Sequence, residues 1–304
     1  MSFRRLPVFE SLVVLGIFVH PEVGPAATIT LTPIADTSVM EIAPFNNLGA
    51  NLSMPVGVTA TESAARGLLK FDFSSIPADA VVTSAELSLI VVRQGTLVED
   101  STFDLHRLLV QWGEGNKGGG TETGSGSAAT DGEATWAARL YPLTFWGSGG
   151  GAAGSDYAAT PSSSAGTSSV ISFESTPDMV ADVQSWLANP SSNFGWLVKD
   201  RIEGSAQTAR RIGSSENAAA VPQLVIGYTV VAVLRIKDAI NDAGKLCFGF
   251  EGTAGKSYRI ERRPAVDFGD WTTVQTIPAV ATSGPISVCD PIGSDAAFYR
   301  VVEL

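Results

Sequence analysis

Ala65-Arg66-Gly67-Leu68-Leu69-Lys70-Phe71-Asp72-Phe73-Ser74-Ser75-Ile76-Pro77 is the stretch that decides the fold class. Gly67, Leu69, Phe71 and Phe73 alternate with Arg66, Leu68, Lys70 and Asp72. A period of two predicts a half-buried strand with one apolar face. Ser74, Ser75 and Pro77 stop it. The pattern returns after a short turn in Ala85-Glu86-Leu87-Ser88-Leu89-Ile90-Val91-Val92.

Working outward, strand-like runs fall at 27–32, 52–58, 66–73, 85–92, 101–110, 170–173, 194–199, 209–212 and 223–229. Nine short strands between turn signals predict an all-β protein, a jelly-roll β-sandwich. No glycine-rich phosphate loop follows any of them, which excludes a dinucleotide-binding α/β fold. One short helix is expected. Thr176 caps it, Pro177 suits its first position, and Met179, Val180, Val183, Trp186 and Leu187 share a face before Asn189-Pro190 ends it. Residues 113–169 are dominated by Gly, Ser, Ala and Thr, yet Trp136, Tyr141, Phe145, Trp146 and Tyr157 are dotted through them. That mixture predicts a long loop pinned to the sandwich by a few rings. Residues 231–304 hold further alternating runs and predict a second, smaller β-sandwich with a marginal core.

The chain has 304 residues, 44% of them hydrophobic, and a formal net charge of −11. Such a surface repels nucleic acid and anionic lipid. The N-terminus reads as an export signal over residues 1–27. Arg4 and Arg5 lead, 11–19 form a short apolar core, and Gly24-Pro25-Ala26-Ala27 offers small residues for cleavage. A short membrane anchor is the alternative. No later segment is apolar for long enough to cross a bilayer. The expected location is therefore secreted or cell-surface, with no membrane insertion after cleavage. In an exported chain Cys247 and Cys289 fit one disulfide, two buried thiols being the alternative. Past the signal, His106 is the sole histidine, so a structural zinc site lacks ligands.

Several pieces occur in a recognisable order. Ala35-Asp36-Thr37-Ser38-Val39 opens the series and the stretch from Gly67 to Pro77 is its centre. Trp112-Gly113-Glu114-Gly115, Asp156-Tyr157-Ala158, Asn193-Phe194-Gly195-Trp196 and Pro222-Gln223-Leu224-Val225-Ile226 follow. Across 35–229 the chain resembles the disaggregatase-related (DNRLRE) domain, also described as carbohydrate-binding module family 96. The resemblance implies a secreted jelly roll found beside polysaccharide lyases and hydrolases, with some members binding acidic polysaccharides. No lyase or hydrolase domain accompanies it here. The C-terminal part is similar to small β-modules that end exported bacterial surface proteins, on Phe250-Glu251-Gly252-Thr253, Gly269-Asp270-Trp271 and Phe298-Tyr299-Arg300-Val301.

Sugar recognition uses aromatic faces against pyranose C–H groups and planar polar groups on hydroxyls. Trp146, Tyr157 and Tyr141 are the loop aromatics selected for that task. Arg66, Lys70 and Arg210 are the cations selected for carboxylates, out of a basic set that also holds Arg93, Arg107, Lys199, Arg201 and Arg211. A solvated sheet face is the competing reading of these cations, and loop anchoring that of the rings. Asp36, Asp72 and Asp200 are weak candidates for a structural calcium; no other cofactor is expected. Catalytic signals are thin, because His106 stands alone and no serine sits in a Gly-x-Ser-x-Gly elbow.

Three functions compete. The first is a non-catalytic, secreted polysaccharide-binding protein, with acidic glycans as partners. The second is a structural or adhesive component of the cell envelope. The third is a lyase or glycosidase, which needs Tyr or His106 to meet Arg and a carboxylate.

Overall fold

The computed structural model describes residues 22–118, 120, 123–232, 237–264, 269–291 and 297–304. Residues 1–21 of the expected export signal lie outside them. The chain forms two compact units, Pro25–Val230 and a second that includes Val231–Leu304.

The first unit follows the alternating runs. Its strands begin with β1 (Glu22–Leu31), β2 (Pro33–Met40), β3 (Asn46–Asn47), β4 (Ser53–Val58), β5 (Ala64–Phe71), β6 (Ala80–Gln94) and β7 (Thr102–Arg107). The glycine-rich region supplies β8 (Ser127–Ala128), β9 (Ala138–Leu140), β10 (Thr144–Phe145) and β11 (Ser163–Gly166). Then come β12 (Val170–Phe173), α1 (Pro177–Ala188), β13 (Trp196–Asp200), β14 (Arg210–Gly213) and β15 (Gln223–Ala232). The large sheet runs β1-β15-β6-β14-β4-β5-β13-β7-β11, with β12 also on β6 and β2 also on β5. It curls over itself and closes an all-β sandwich.

Strand β6 connects the two layers. Its early residues pair with β15, Ala80 facing Val230 and Ser88 facing Gln223. Its last residues pair with β14. A register shift opposite Gly227 and Tyr228 leaves Thr83 as an extra residue. Burial accordingly steps from Ala80 and Val82 to Ala85, Leu87 and Leu89, as a bulge requires. Between the layers lies a core that includes Leu69, Phe71, Phe73, Phe103, Phe173, Trp186 and Trp196.

Helix α1 begins where its cap predicts. Thr176 Oγ1 accepts the Met179 N–H at 3.1 Å, and Pro177 occupies the first turn. Met179, Val183, Trp186 and Leu187 enter the core. Each fully buried side chain of this kind contributes about 1.5–3 kcal/mol.

One expectation needs correction. The strand around Leu68 is not half-buried: β5 is covered on both faces. Leu68 joins Val39, Leu108, Trp112, Trp146, Tyr157 and Leu197 in a second apolar layer outside the sheet. Rings from the glycine-rich region build that layer, so the polar parity of Arg66 and Leu68 faces protein. Glycine is required where this region packs tightly. A Cβ on Gly113 would lie 1.8 Å from the Gly132 carbonyl oxygen, and one on Gly150 (φ +71) 2.5 Å from the Trp136 ring. Strand β2 was legible only as the opening of the family pattern.

The second unit holds β16 (Lys237–Asp242), β17 (Lys245–Gly252), β18 (Tyr258–Arg263), β19 (Thr272–Ile277), β20 (Gly284–Pro291) and β21 (Phe298–Glu303). They form two three-stranded sheets, β16-β17-β20 and β19-β18-β21. Phe248, Phe250, Tyr258, Ile260, Val288 and Tyr299 fill its core. Cys247 and Cys289 face each other on paired strands and are joined by a disulfide.

Candidate functional site

A groove of about 460 Å³ opens where β5, β6 and β14 end together. Met40, Ile42 and Pro55 give it apolar walls, and Arg93, Arg210, Arg211, Thr59, Ser63 and Ser125 give it polar ones. Its cations come from strand register. Arg211 of β14 stands directly opposite Arg93 of β6. Like charges in that position repel.

No carboxylate pairs with Arg93 or Arg211 among the described residues. Arg211 Nη2 donates to the Gly124 carbonyl oxygen at 2.9 Å, and its buried Nη1 has no partner. Burial, followed by the charge of Arg93, holds the Arg211 guanidinium below its ordinary pKa. An anion between the two arginines would remove both penalties.

The segments that border the groove also carry exposed rings. Ser125, one of its walls, accepts the Asn46 side-chain amide at 2.9 Å through its carbonyl. Next to Asn46, Phe45 accepts the Ala129 N–H at 3.0 Å, and Pro44 accepts that of Ala137 at 3.1 Å. Ala137 in turn accepts the Trp146 N–H. Phe45 is 57% exposed and Phe145 62%. Ile42 is an apolar surface on the groove wall itself, and Phe45 and Phe145 are exposed rings on the segments linked to it.

Of the residues selected from sequence, Arg210 lines this groove and the other five lie elsewhere. Trp146 is only 5% exposed, and its Nε1 donates to the Thr135 carbonyl at 2.8 Å. Phe145 ends β10 with its ring exposed, and Trp146, the next residue, turns inward. Tyr157 is buried in the same layer. Tyr141 is half-buried, and its backbone bonds to Gly132 and Glu133.

Arg66 is 8% exposed and its fork is occupied. Nε and Nη2 donate to the two oxygens of Glu203, both at 2.7 Å, while Nη1 donates to the carbonyls of Gly150 and Gly151. Its guanidinium also lies over Trp136 and Tyr157, at 5.2 and 5.7 Å. Arg66 is therefore an anchor for the loop, not a free cation. Arg210 lines the groove but is buried, and its fork is engaged, donating to the Thr208 and Glu99 carbonyls with the Asp100 carboxylate at 3.7 Å. Lys70 lies at the opposite end of β5 from the groove and lines a different cleft.

Tyr157, His106, Arg66 and Glu203 do converge. The His106 and Tyr157 rings are 5.0 Å apart, and His106 Nδ1 donates to the Ala158 carbonyl at 2.8 Å. Burial lowers the His106 pKa and raises that of Tyr157. Arg66, His106 and Tyr157 are all buried, with the loop carbonyls over the guanidinium. The cluster lies beneath the loop rather than in an open cleft.

Each aspartate is held by its own neighbours. Asp36 accepts the Ser215 N–H at 2.7 Å, and its own N–H donates to Glu114. Asp72 is exposed and accepts from Ser74. Asp200 is buried and accepts from Ser101 and Ile202. Among the described residues no group of three or more His, Cys, Asp or Glu side chains is arranged to hold a metal ion. No helix among the described residues is long and apolar enough to cross a membrane.

Sequence reasoning did not select Arg93, Arg211, Phe45 or Phe145. Arg93 and Arg211 stood in the basic set, but only strand pairing reveals that they oppose each other. For Phe145 the sequence carried no such signal, because β10 is only two residues long.

Residues 27–116 match the family model of carbohydrate-binding module family 96. The match begins within β1 and runs through β7, so it takes in β5 and Arg93 of β6 but not β14 with Arg211. It points to a carbohydrate-binding role. No curated protein matches the chain.

Proposed function

We propose that the protein is a non-catalytic polysaccharide-binding protein that works outside the cell, and that its first unit holds an acidic glycan along the arginine groove. Carboxylates of the glycan bridge Arg93 and Arg211, whose planar forks suit such groups. Phe45 and Phe145 take the apolar faces of neighbouring sugar rings. The observation that carries this reading is the Arg93–Arg211 pair, two opposed guanidiniums without a carboxylate partner among the described residues. The family match and the export-like N-terminus support it. The net charge of −11 favours a local cationic site over broad phosphate binding. Attachment to the cell envelope through the second unit accords with the resemblance of that unit to surface modules.

Affinity electrophoresis in gels containing alginate, polygalacturonate or a neutral β-glucan tests the proposal. Retardation by an acidic gel, weakened by Arg93→Ala or Arg211→Ala and by about 0.5 M salt, is the expected result. Equal mobility of the folded protein in all gels overturns it. Release of unsaturated products or reducing ends from the same polymers would overturn the non-catalytic assignment.

A further inference from the structure

The Cys247–Cys289 disulfide of the second unit lies outside that unit's core. On β20, Val288 and Asp290 are buried while Ser287, Cys289 and Pro291 are exposed. On β17, Leu246 and Phe248 enter the core, so Cys247 between them points to the other face. Cys247 stands directly opposite Cys289. The bond therefore crosses the outer face of the β16-β17-β20 sheet.

Its two sulfurs are not equivalent. Ile240 of β16 is paired with Cys247 on the side away from Cys289. Ile240, Cys247 and Cys289 thus form one row across the sheet. Cys247, in the middle, is 8% exposed, whereas Cys289, at the end, is exposed. Among the described residues no strand pairs with the outer side of β20. Thiol exchange needs the incoming thiolate in line with the bond that breaks. The line from Cys247 through Cys289 runs out over this free edge, and the reverse line runs into Ile240. The charges nearby are set apart from that approach. Lys245 faces Asp242 across β16 and β17, and Glu251 meets Lys237 Nζ at 3.5 Å. Asp290 is on the inner face, accepting from Arg262 and Tyr299, both at 2.8 Å.

The bond is not what pairs the strands. Strands β17 and β20 keep unbroken register from Lys245 opposite Pro291 to Gly252 opposite Gly284. Breaking the disulfide opens a link between residues 42 apart in sequence and leaves the ladder and the core contacts in place.

We propose that Cys289 is a reversible modification site at which the folded protein exchanges its disulfide with a small thiol. The thiolate forms a bond to Cys289 Sγ as the bond from Cys289 to Cys247 breaks. Cys247 leaves with the electron pair and takes up the proton that the attacking thiol gave up. The product carries a mixed disulfide on the free edge of β20 and a free thiol at Cys247. Attack by Cys247 on Cys289 Sγ expels the small thiol and restores the original bond, because the ladder keeps the two residues opposite each other.

Incubation of the folded full chain with reduced glutathione, an acid quench, alkylation with N-ethylmaleimide and peptide mapping test this. Glutathione should be found on Cys289 and maleimide on Cys247, with the reverse arrangement at least about tenfold rarer. The rate should rise about tenfold per pH unit between about pH 6 and 8, as the thiolate fraction does, and should not respond to urea below the unfolding transition. Single-cysteine variants give a second measure that needs no trapped adduct. Cys289 in Cys247→Ala should react with Ellman's reagent about tenfold faster than Cys247 in Cys289→Ala. Adducts shared equally between the two cysteines, or exchange that occurs only as urea unfolds the protein, overturn the proposal.

Discussion

Arg93 on β6 and Arg211 on β14 occupy directly opposed positions in paired strands, with no carboxylate set against either among the described residues. A cross-strand pair of like charge lowers stability by about 0.2–1 kcal/mol. Their retention in a groove makes sense if a ligand supplies the missing negative charge. Arg93→Gln should therefore make the free protein slightly more stable while weakening its hold on an acidic glycan. Urea unfolding with and without added salt would measure the first effect, since screening should stabilise the parent more than the variant. Loss of stability in Arg93→Gln would show that the arginines do not oppose each other energetically.

Phe145 and Trp146 are neighbours with opposite duties. Trp146→Ala removes a buried ring and orphans the Thr135 carbonyl, and should cost about 3–5 kcal/mol in unfolding free energy. Phe145→Ala should change stability by less than about 0.5 kcal/mol, because the ring is already in solvent. It should instead reduce retardation in glycan gels. Equal stability losses from the two variants would mean that the Phe145 ring packs as deeply as that of Trp146.

Much of the architecture could be read from local pattern. The alternation through Leu69 and Phe71 marked a core strand, and Thr176 with Pro177 marked the helix start, because both signals lie within a few residues. The site was less legible, because it depends on distant partners. Arg66 looked free until the fold brought Glu203 and the carbonyls of Gly150 and Gly151 onto its fork. Arg211 looked ordinary until β14 met the end of β6. A two-residue strand such as β10 is too short for periodicity to say which ring turns outward.

The Arg66–Glu203 pair should matter for stability although it binds no ligand. Removing one partner of a buried pair leaves an uncompensated charge, and such losses run to about 3–5 kcal/mol. Glu203 is a fifth exposed and keeps Lys199 within 3.5 Å, which places Arg66→Ala toward the lower end. The Gly150 and Gly151 carbonyls would also lose their donor. Faster proteolytic nicking within 147–157 should accompany the global effect, since Arg66 pins that loop to the sheet. An unfolding midpoint equal to that of the parent, with unchanged nicking, would remove Arg66 from the role of anchor.

Asp36 ties the start of the fold to pH. Its carboxyl is pushed up to about 7, mainly by burial, with Glu216 and Glu114 adding to the rise and the Ser215 bonds opposing it. The folded state thus holds this proton more tightly than the unfolded chain, whose carboxyl has the ordinary value of 3.8. The stabilisation from Asp36 is complete below that ordinary value and is lost as pH rises toward about 7. Asp36→Asn keeps an acceptor for the Ser215 N–H and removes the charge. The variant should gain on the parent by about 2–4 kcal/mol above neutral pH and show a flatter stability profile between pH 4 and 7. Chemical denaturation at a series of pH values gives both curves. Parallel curves across that window would mean that Asp36 ionises as readily in the folded protein as in the unfolded chain.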